Sequence, residues 1–437
     1  MKLLYKALPE KLEFVFYMTV VFLTRIVVSV PLLIPTHFTP QTTKLFGVTV
    51  PSYFVEHGTY FGWIATINML QREFGVFKVW TPYPPLYSVF IYALFLVARN
   101  NFNVAWDLWF LLNALSDCGT ATLLWKIVYT NWAKKIGFEG AYYALQLYSV
   151  SPLPIFYVLS ASVYDPQIVF LFVLGYYLLK RSKFVASAFV CALGASLKLF
   201  PALIFLALLA SKEKRKLLFT IYFVVFVLLL NLPFYVISPS FFLSPFYWQA
   251  GRPPWSSIYG LVLGDSIGAY QISSPIYADL SPPVIPVKWD YYVLGIVPSP
   301  SVLVKPLAPQ PERPYSAVPQ IAEILVLGIT FALLSKRKSA FENSLLSITS
   351  AFFLISPGWS PEFFLYELPI LAIALNPESY FKTSVFAQIL LLVEYPISLF
   401  VLPPVVNIQI FWTAVILQDA LFGYLWLKPF IHHTESL

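Results

Sequence analysis

Long apolar runs alternate with short charged stretches along almost the whole chain. The runs predict helical segments near 14–34, 84–99, 104–130, 140–158, 166–179, 184–197, 199–210, 217–237, 320–335, 341–356, 363–376, 384–402 and 405–427. Several of these segments are shorter than the roughly 20 residues that a simple spanning helix needs. Short or broken helices are tolerated in a bilayer where they pack in protein or line a cavity. The pattern therefore predicts a membrane helix bundle with an internal site.

Composition agrees with this pattern. Of 437 residues, 59% are hydrophobic, 18% are aromatic and 11% are charged. Soluble domains carry roughly 25% charged residues, and a soluble chain this apolar would expose large hydrophobic patches. We expect an all-α polytopic membrane protein that forms one integral membrane domain over residues 1–437. No basic patch interleaved with aromatic residues suggests a nucleic-acid partner.

Basic residues cluster at a few turns between the apolar runs. They are Lys2/Lys6/Lys11, Lys134/Lys135, Lys180/Arg181/Lys183, Lys212/Lys214/Arg215/Lys216 and Lys336/Arg337/Lys338. The positive-inside rule places such clusters in the cytoplasm. Stretch 184–210 has a cluster at each end, so it must cross outward and return as two short helices, with Lys198 near the outer tip. Between 84 and 130 two topologies stay open: either 84–99 is re-entrant, or 104–130 bends into two passes.

The same reasoning places two long loops outside the membrane, where they would cap the bundle. Residues 35–83 follow the first span, and residues 238–319 follow the outward segment 217–237. The stretch from Tyr53 to Leu70 is aromatic and weakly amphipathic, which is typical of a helix lying on a membrane surface. Residues 238–319 are rich in Pro, Ser and Tyr, and a loop of this length is often a functional lid.

Cofactor chemistry has little support in the sequence. Cys118 and Cys191 both lie in apolar runs, which favours neither a disulfide framework nor a metal site. No Asp-x-Asp pair occurs in residues 35–83. We therefore expect no cofactor, and a divalent metal stays an open alternative that the sequence does not support.

Charged residues gather on the outer face in this topology. They are Glu56, Asp165, Lys198, Arg252 and Glu362. A charged side chain at the centre of a membrane helix costs ~2.5–3.5 kcal/mol on insertion scales, so the placement of these groups carries information. Acids and cations at one face can hold a phosphate and deprotonate a hydroxyl. Ordinary interfacial charge is the alternative interpretation.

Short motifs surround these charges. Residues 56–63 read E-H-G-T-Y-F-G-W, residues 83–86 read Y-P-P-L, and residues 151–165 read S-P-L-P-I-F-Y-V-L-S-A-S-V-Y-D. Lys198 lies in S-L-K-L-F-P, Arg252 in Y-W-Q-A-G-R-P-P-W-S-S-I-Y-G-L, and Glu362 in S-P-G-W-S-P-E-F-F-L-Y-E-L-P. In order and spacing, these motifs resemble the GT-C superfamily of polyprenyl-phosphate-sugar glycosyltransferases, especially glycosyltransferase family 87.

Three positions depart from the pattern of that family. Glu56 stands where the family usually has Asp, and Glu362 stands where Gln is usual. The family's Gly-Gln before Asp165 is replaced by Ser162, Val163 and Tyr164. These departures leave room for an inactive or repurposed member.

The resemblance implies a GT-C-like bundle that transfers a hexose with inversion. The expected donor is a polyprenyl-phosphate sugar, with dolichyl-phosphate mannose first, and the acceptor is a lipid-linked glycan, a glycolipid or a protein at the extracytoplasmic face of the cell membrane. Glu56 would be the general base, and Arg252 and Lys198 would bind the donor phosphate. The residues expected to contact sugar or acceptor are Asp165, His57, Tyr60, Tyr83, Trp359 and Glu362.

Structural interpretations compete with these roles. Glu56 can be a charge on a loop helix, Arg252 a solvated loop arginine, and Lys198 the structural partner of Asp165. Arg25 and Asp117 lie within predicted spans, and pairing inside the bundle is the expectation for Asp117. For the whole chain, the alternatives are a transporter or flippase of a lipid-linked sugar and an inactive structural subunit of a glycosylation complex.

Overall fold

A computed structural model describes the chain over most of its predicted helices. The described residues are 2–26, 43–45, 48–50, 84–152, 154–155, 164–213, 216–250, 257, 259, 317–356, 358, 363–394 and 404–431. Within them the chain is mostly helical. The strands found there, β1 (Thr43–Leu45) and β2 (Val48–Val50), form a short antiparallel hairpin in which Thr43 lies opposite Val50.

Fourteen α-helices are defined by these residues. They are α1 (Lys2–Ile26), α2 (Pro85–Val97), α3 (Phe102–Leu124), α4 (Thr130–Val150), α5 (Asp165–Lys180), α6 (Phe184–Leu197), α7 (Ala202–Ala210), α8 (Lys216–Ile237), α9 (Pro239–Ala250), α10 (Ala317–Arg337), α11 (Phe341–Ile355), α12 (Phe364–Ala374), α13 (Pro377–Leu392) and α14 (Pro404–Ile431). Most of them coincide with a predicted segment. Helix α9 lies in the predicted loop 238–319, and the hairpin lies in the predicted loop 35–83.

One apolar core joins these helices into a bundle. Helix α6 packs between α5 and α8, and α5 also packs on α3. On the other side, α11 contacts α7, α10 and α14. Helix α12 contacts α5, α11 and α13, so it links the two groups. A buried hydrophobic cluster with members in nearly all of these helices runs through the bundle.

The path of residues 84–150 answers the question that the sequence left open. Helices α2 and α3 are joined by a tight turn in which Arg99 and Asn100 have positive φ values of 54° and 62°. Helix α3 continues through a π-helical turn, Trp125–Tyr129, directly into α4. The chain then breaks at Gly137, where φ is 79°. Segment 104–130 is therefore one continuous helical path and does not bend into two passes.

Contacts with α1 show that the chain reverses after Gly137. Tyr129 bonds to Glu13, whereas Ser149, which follows the break, bonds to Arg25. Helix α2 has 13 residues and is about 20 Å long at 1.5 Å per residue, which is shorter than a bilayer core of about 30 Å. This length fits the re-entrant alternative for segment 84–99.

The predicted helical hairpin around Lys198 is confirmed. Helix α6 ends at Leu197, Lys198 is extended with φ −156° and ψ 136°, and Pro201 precedes α7. A Cβ atom on Gly194 would lie 2.9 Å from Cγ of Pro201 and 3.4 Å from Cβ of Leu171, so glycine permits the close approach of this turn to its neighbours. The turn is thereby held against α5.

Among the described residues, two helical segments are long and apolar enough to cross a membrane. They are Lys216–Ile237 and Gln409–Ile431, and only 11% of the apolar window of the first is buried within the protein. Four further apolar helices, α2, α6, α11 and α12, are shorter. The helical part of the predicted fold class is confirmed, while a multi-pass arrangement remains a prediction.

Candidate functional site

The two ends of the bundle differ in chemistry, because α5 runs from Asp165 to Lys180 and α6 returns from Phe184 to Leu197. The site end is defined here by Asp165, Lys198 and Tyr366. The basic end is defined by the turns that carry Lys180, Lys212 and Arg337. The sequence predicted this separation, with Lys198 at one face and the basic turns at the other.

Local sequence places Asp165 and Lys198 at helix ends that meet. Asp165 begins α5 and is followed by Pro166, and a carboxylate and a proline both suit the first turn of a helix. Lys198 follows the last residue of α6, and its backbone N–H donates to the carbonyl of Gly194 at 2.8 Å. Since α6 packs antiparallel to α5, the two side chains face each other.

These two side chains form an ion pair at the edge of the core. Lys198 Nζ lies 2.5 Å from Asp165 Oδ1. The Asp165 side chain is 1% exposed, whereas the Lys198 side chain is 25% exposed. A lone lysine among apolar half-helices would be costly, and the pair with Asp165 offsets that cost. The lysine side chain therefore reaches the surface of the core, whereas its partner carboxylate does not.

Tyr366 is a third member of the cluster. It lies in α12, its side chain is buried, and its hydroxyl donates to the same Asp165 Oδ1. The sequence predicted Trp359 and Glu362 as the site residues of this segment, and Tyr366 follows them in the chain.

Aromatic rings surround the Lys198 ammonium group. Its Nζ lies 5.2 Å from the ring centroid of Tyr164, 4.6 Å from that of Phe363 and 5.4 Å from that of Tyr366. Rings within about 6 Å attract a cation through their negative faces. The cage therefore stabilises a charged lysine that has left bulk water, while the ion pair fixes its position.

An apolar cavity lies between helices that include α5 and α6, which carry Asp165 and precede Lys198. Its volume is about 260 Å³, and it lies between α2, α3, α5 and α6. The lining residues are Leu86, Phe90, Leu112, Ser116, Gln167, Phe170, Leu171, Leu193 and Leu197. Leu197 directly precedes Lys198, and Gln167 follows Asp165 by two residues. The cavity is thus mostly lined by hydrocarbon, and two of its lining residues are close in sequence to the charged pair.

A second ion pair is enclosed deeper in the bundle. Arg25 Nε lies 2.6 Å from Asp117 Oδ2, with side-chain exposures of 0% and 2%. The other guanidinium nitrogens donate to Thr24 Oγ1 and to the carbonyls of Tyr148 and Ser149, and the Tyr148 hydroxyl donates to Asp117 Oδ1 at 2.6 Å. The expectation that Asp117 pairs inside the bundle is confirmed.

Most of the predicted site residues lie outside the described residues. These are Glu56, His57, Tyr60, Tyr83, Arg252, Trp359 and Glu362. Of the predicted set, the structure places Asp165 and Lys198 and brings them together. Within the described part of the chain, no group of three or more His, Cys, Asp and Glu side chains is arranged to hold a metal ion.

Comparison with known proteins bears on the same region. Residues 80–263 match the model of glycosyltransferase family 87. The matched region contains Asp165, Lys198, Arg252 and every helix that lines the cavity, whereas Glu56 and Tyr366 lie outside it. The predicted resemblance to this family is confirmed, and it supports a glycosyltransferase. No curated protein and no solved structure matches the chain.

Proposed function

We propose that this chain is a multi-pass membrane glycosyltransferase that takes its sugar from a polyprenyl-phosphate donor. The observation that carries the proposal is the position of Lys198. Its side chain is partly exposed, and Leu197, the residue before it, lines an apolar cavity within the region that matches family 87. A lipid phosphate has the two matching parts: an anion for the lysine and a hydrocarbon tail for the cavity.

In the proposed donor site, the cavity binds the lipid tail and the charged side chains bind the phosphate. Branched isoprene units fit a space lined by leucine and phenylalanine, and their burial is favourable by roughly 25 cal/mol per Å². A tail in the cavity brings its phosphate to Lys198, and Asp165 with Tyr366 keeps the lysine in place. Arg252 is the second proposed phosphate ligand, because a guanidinium can bind phosphate through two parallel hydrogen bonds.

In the proposed reaction, the acceptor hydroxyl oxygen attacks the anomeric carbon of the donor sugar, and its proton passes to Glu56. The bond from the anomeric carbon to the phosphate oxygen breaks, and the lipid phosphate leaves with the electron pair. Attack opposite to the leaving group inverts the anomeric centre. Lys198 and Arg252 stabilise the charge that grows on the phosphate in the transition state.

The donor sugar, the acceptor and the membrane face belong to the proposal as well. Mannose is the first sugar to test, and the acceptor is a lipid-linked glycan, a glycolipid or a protein. The basic turns lie at the end opposite Lys198, and by the positive-inside rule this separation supports a reaction at the extracytoplasmic face. No metal takes part in the proposed step, and a chelator such as EDTA should leave transfer unchanged.

The deciding experiment is sugar transfer by the purified protein in lipid, with radiolabelled dolichyl-phosphate mannose and a lipid extract of host membranes. Labelled product from the wild type and none from Glu56→Gln would support both the reaction and the base. Donor retention should survive in that variant. Flux of the donor across liposomes with no product formed would instead favour the transporter, and a bound donor with neither product nor flux would favour an inactive member.

A further inference from the structure

Three turns come together at the basic end through contacts within the protein. The backbone N–H of Lys212 donates to the carbonyl of Ser339 at 3.0 Å, which joins the α7–α8 turn to the α10–α11 turn. Lys180 Nζ lies 2.7 Å from Glu342 Oε1 and 4.0 Å from Glu213 Oε1. The α5–α6 turn is thereby tied to the other two. Three separate basic stretches become one surface.

This surface carries a large excess of positive charge. Among the described residues of these three turns, the acids are Glu213 and Glu342, and the cations are Lys180, Arg181, Lys183, Lys212, Lys216, Lys336, Arg337 and Lys338. Both acids already face Lys180. Lys183, Lys212, Lys336 and Lys338 are exposed and have no ion pair with any described residue. Their charge is available to a partner.

Exposed apolar side chains border these cations. Leu217 is 69% exposed beside Lys216, Val185 is 44% exposed two residues after Lys183, and Leu333 is 44% exposed three residues before Lys336. A cation beside an exposed hydrocarbon surface matches a lipid, whose headgroup is charged and whose chain is apolar. An acidic protein segment would pair with the cations but would not contact the exposed apolar side chains beside them.

We infer that the basic end binds the phosphate headgroups of anionic membrane lipids, with Lys183, Lys212, Lys336 and Lys338 as the principal contacts. The binding site is separate from the site end, because the full lengths of α5 and α6 lie between them. The inference rests on the membrane embedding in the proposed function and is independent of glycosyl transfer. Resistance of the protein to extraction from membranes by alkaline carbonate tests the embedding by itself.

The inference is tested by native mass spectrometry of the full-length protein in detergent, with equimolar phosphatidylglycerol and phosphatidylcholine added. Wild type should retain phosphatidylglycerol preferentially. Each cation near a lipid surface contributes about fivefold, so changing all four lysines to Gln should lower the preference by roughly tenfold or more. The matched Lys→Arg variant keeps the charge and should keep the preference, and Arg99→Gln, at the α2–α3 turn away from the basic end, should also leave it unchanged.

Several outcomes would overturn the inference. They are equal retention of both lipids by wild type, unchanged preference in the Gln variant, and equal losses in the Gln and Arg99→Gln variants. If the Lys→Arg variant also lost the preference for phosphatidylglycerol, the preference would depend on folding and not on charge. Inorganic phosphate at the lipid concentration should not displace phosphatidylglycerol, because the free ion has no hydrocarbon to occupy the apolar border.

Discussion

Two ion pairs in the same bundle show how different surroundings suit different roles. The Arg25–Asp117 pair is closed to solvent, and the guanidinium and carboxylate have side-chain or carbonyl partners on α3 and α4. The Lys198–Asp165 pair stands at the edge of the core, and the Lys198 side chain is one-quarter exposed. The two ion pairs are therefore chemically similar, but they differ in exposure to solvent and in the number of protein groups that contact them.

The difference identifies which pair can meet a ligand. A buried pair in which every guanidinium nitrogen already donates to a protein group is closed to a substrate, and removing one partner leaves an uncompensated charge. A pair at an edge can release one donor to a phosphate while a neighbour holds it in place. We call Arg25–Asp117 the closed pair and Lys198–Asp165 the open pair. We expect substitutions at the closed pair to affect folding, and substitutions at the open pair to affect activity.

The largest effect is expected for Asp117→Ala, which leaves the Arg25 guanidinium buried without its carboxylate. The cost of breaking such a pair is about 3–5 kcal/mol. Thermal unfolding in detergent should show a large loss of stability or no folded protein. Asp107→Ala is the matched control on α3, because Asp107 is exposed and should tolerate the change. Equal stability of the two variants would contradict the structural role of the closed pair.

Next in size is the expected loss of activity in Lys198→Met, by roughly 100-fold or more, since removing a donor to developing charge costs about 10²–10³ in rate. This variant also leaves the buried Asp165 without its cation. The double variant Asp165→Asn/Lys198→Met removes both charges and should recover stability without recovering transfer. Recovery of both together would show that the open pair is only structural, which is the alternative interpretation of Lys198.

A smaller effect is expected when the cavity is filled. Ser116 lines the cavity from α3, and Ser116→Phe should raise KM for a long polyprenyl-phosphate donor by about tenfold, the loss that corresponds to roughly 1.4 kcal/mol of binding. A short-chain donor analogue should be much less affected. Leu115→Phe, on the exposed side of the same helix, is the control. Equal changes for both donors would show that the tail does not occupy this cavity.

The smallest effect is expected for Tyr366→Phe, which removes one hydrogen bond to Asp165 and keeps the ring of the cage. A hydrogen bond to a charged group contributes about 1.5–3 kcal/mol, and part of that loss is recovered because Lys198 still pairs with Asp165. We expect a several-fold lower kcat with little change in donor KM, measured by initial rates. Tyr143→Phe, at an exposed tyrosine, should change neither constant. A change in donor KM alone would contradict the positioning role.

The candidate site was predictable in part. Charge in an apolar chain singled out Asp165 and Lys198, because each is costly in a membrane unless it has a partner. Tyr366 carries no charge, and in a chain with 28 tyrosines nothing in its own chemistry distinguishes it. Its role depends on α12 packing against α5, which brings it to an acid 201 residues away.

By itself, the sequence determined the helical character, the positions of most helices and the separation of basic turns from Lys198. These properties depend on local patterns of apolar and charged residues, which a chain carries in its order. Tertiary structure decided the continuous path through residues 102–136, the aromatic cage, the cavity and the distinction between the closed and open ion pairs. The cage, the cavity and the two ion pairs depend on contacts between residues distant in the chain, because burial arises only when helices pack.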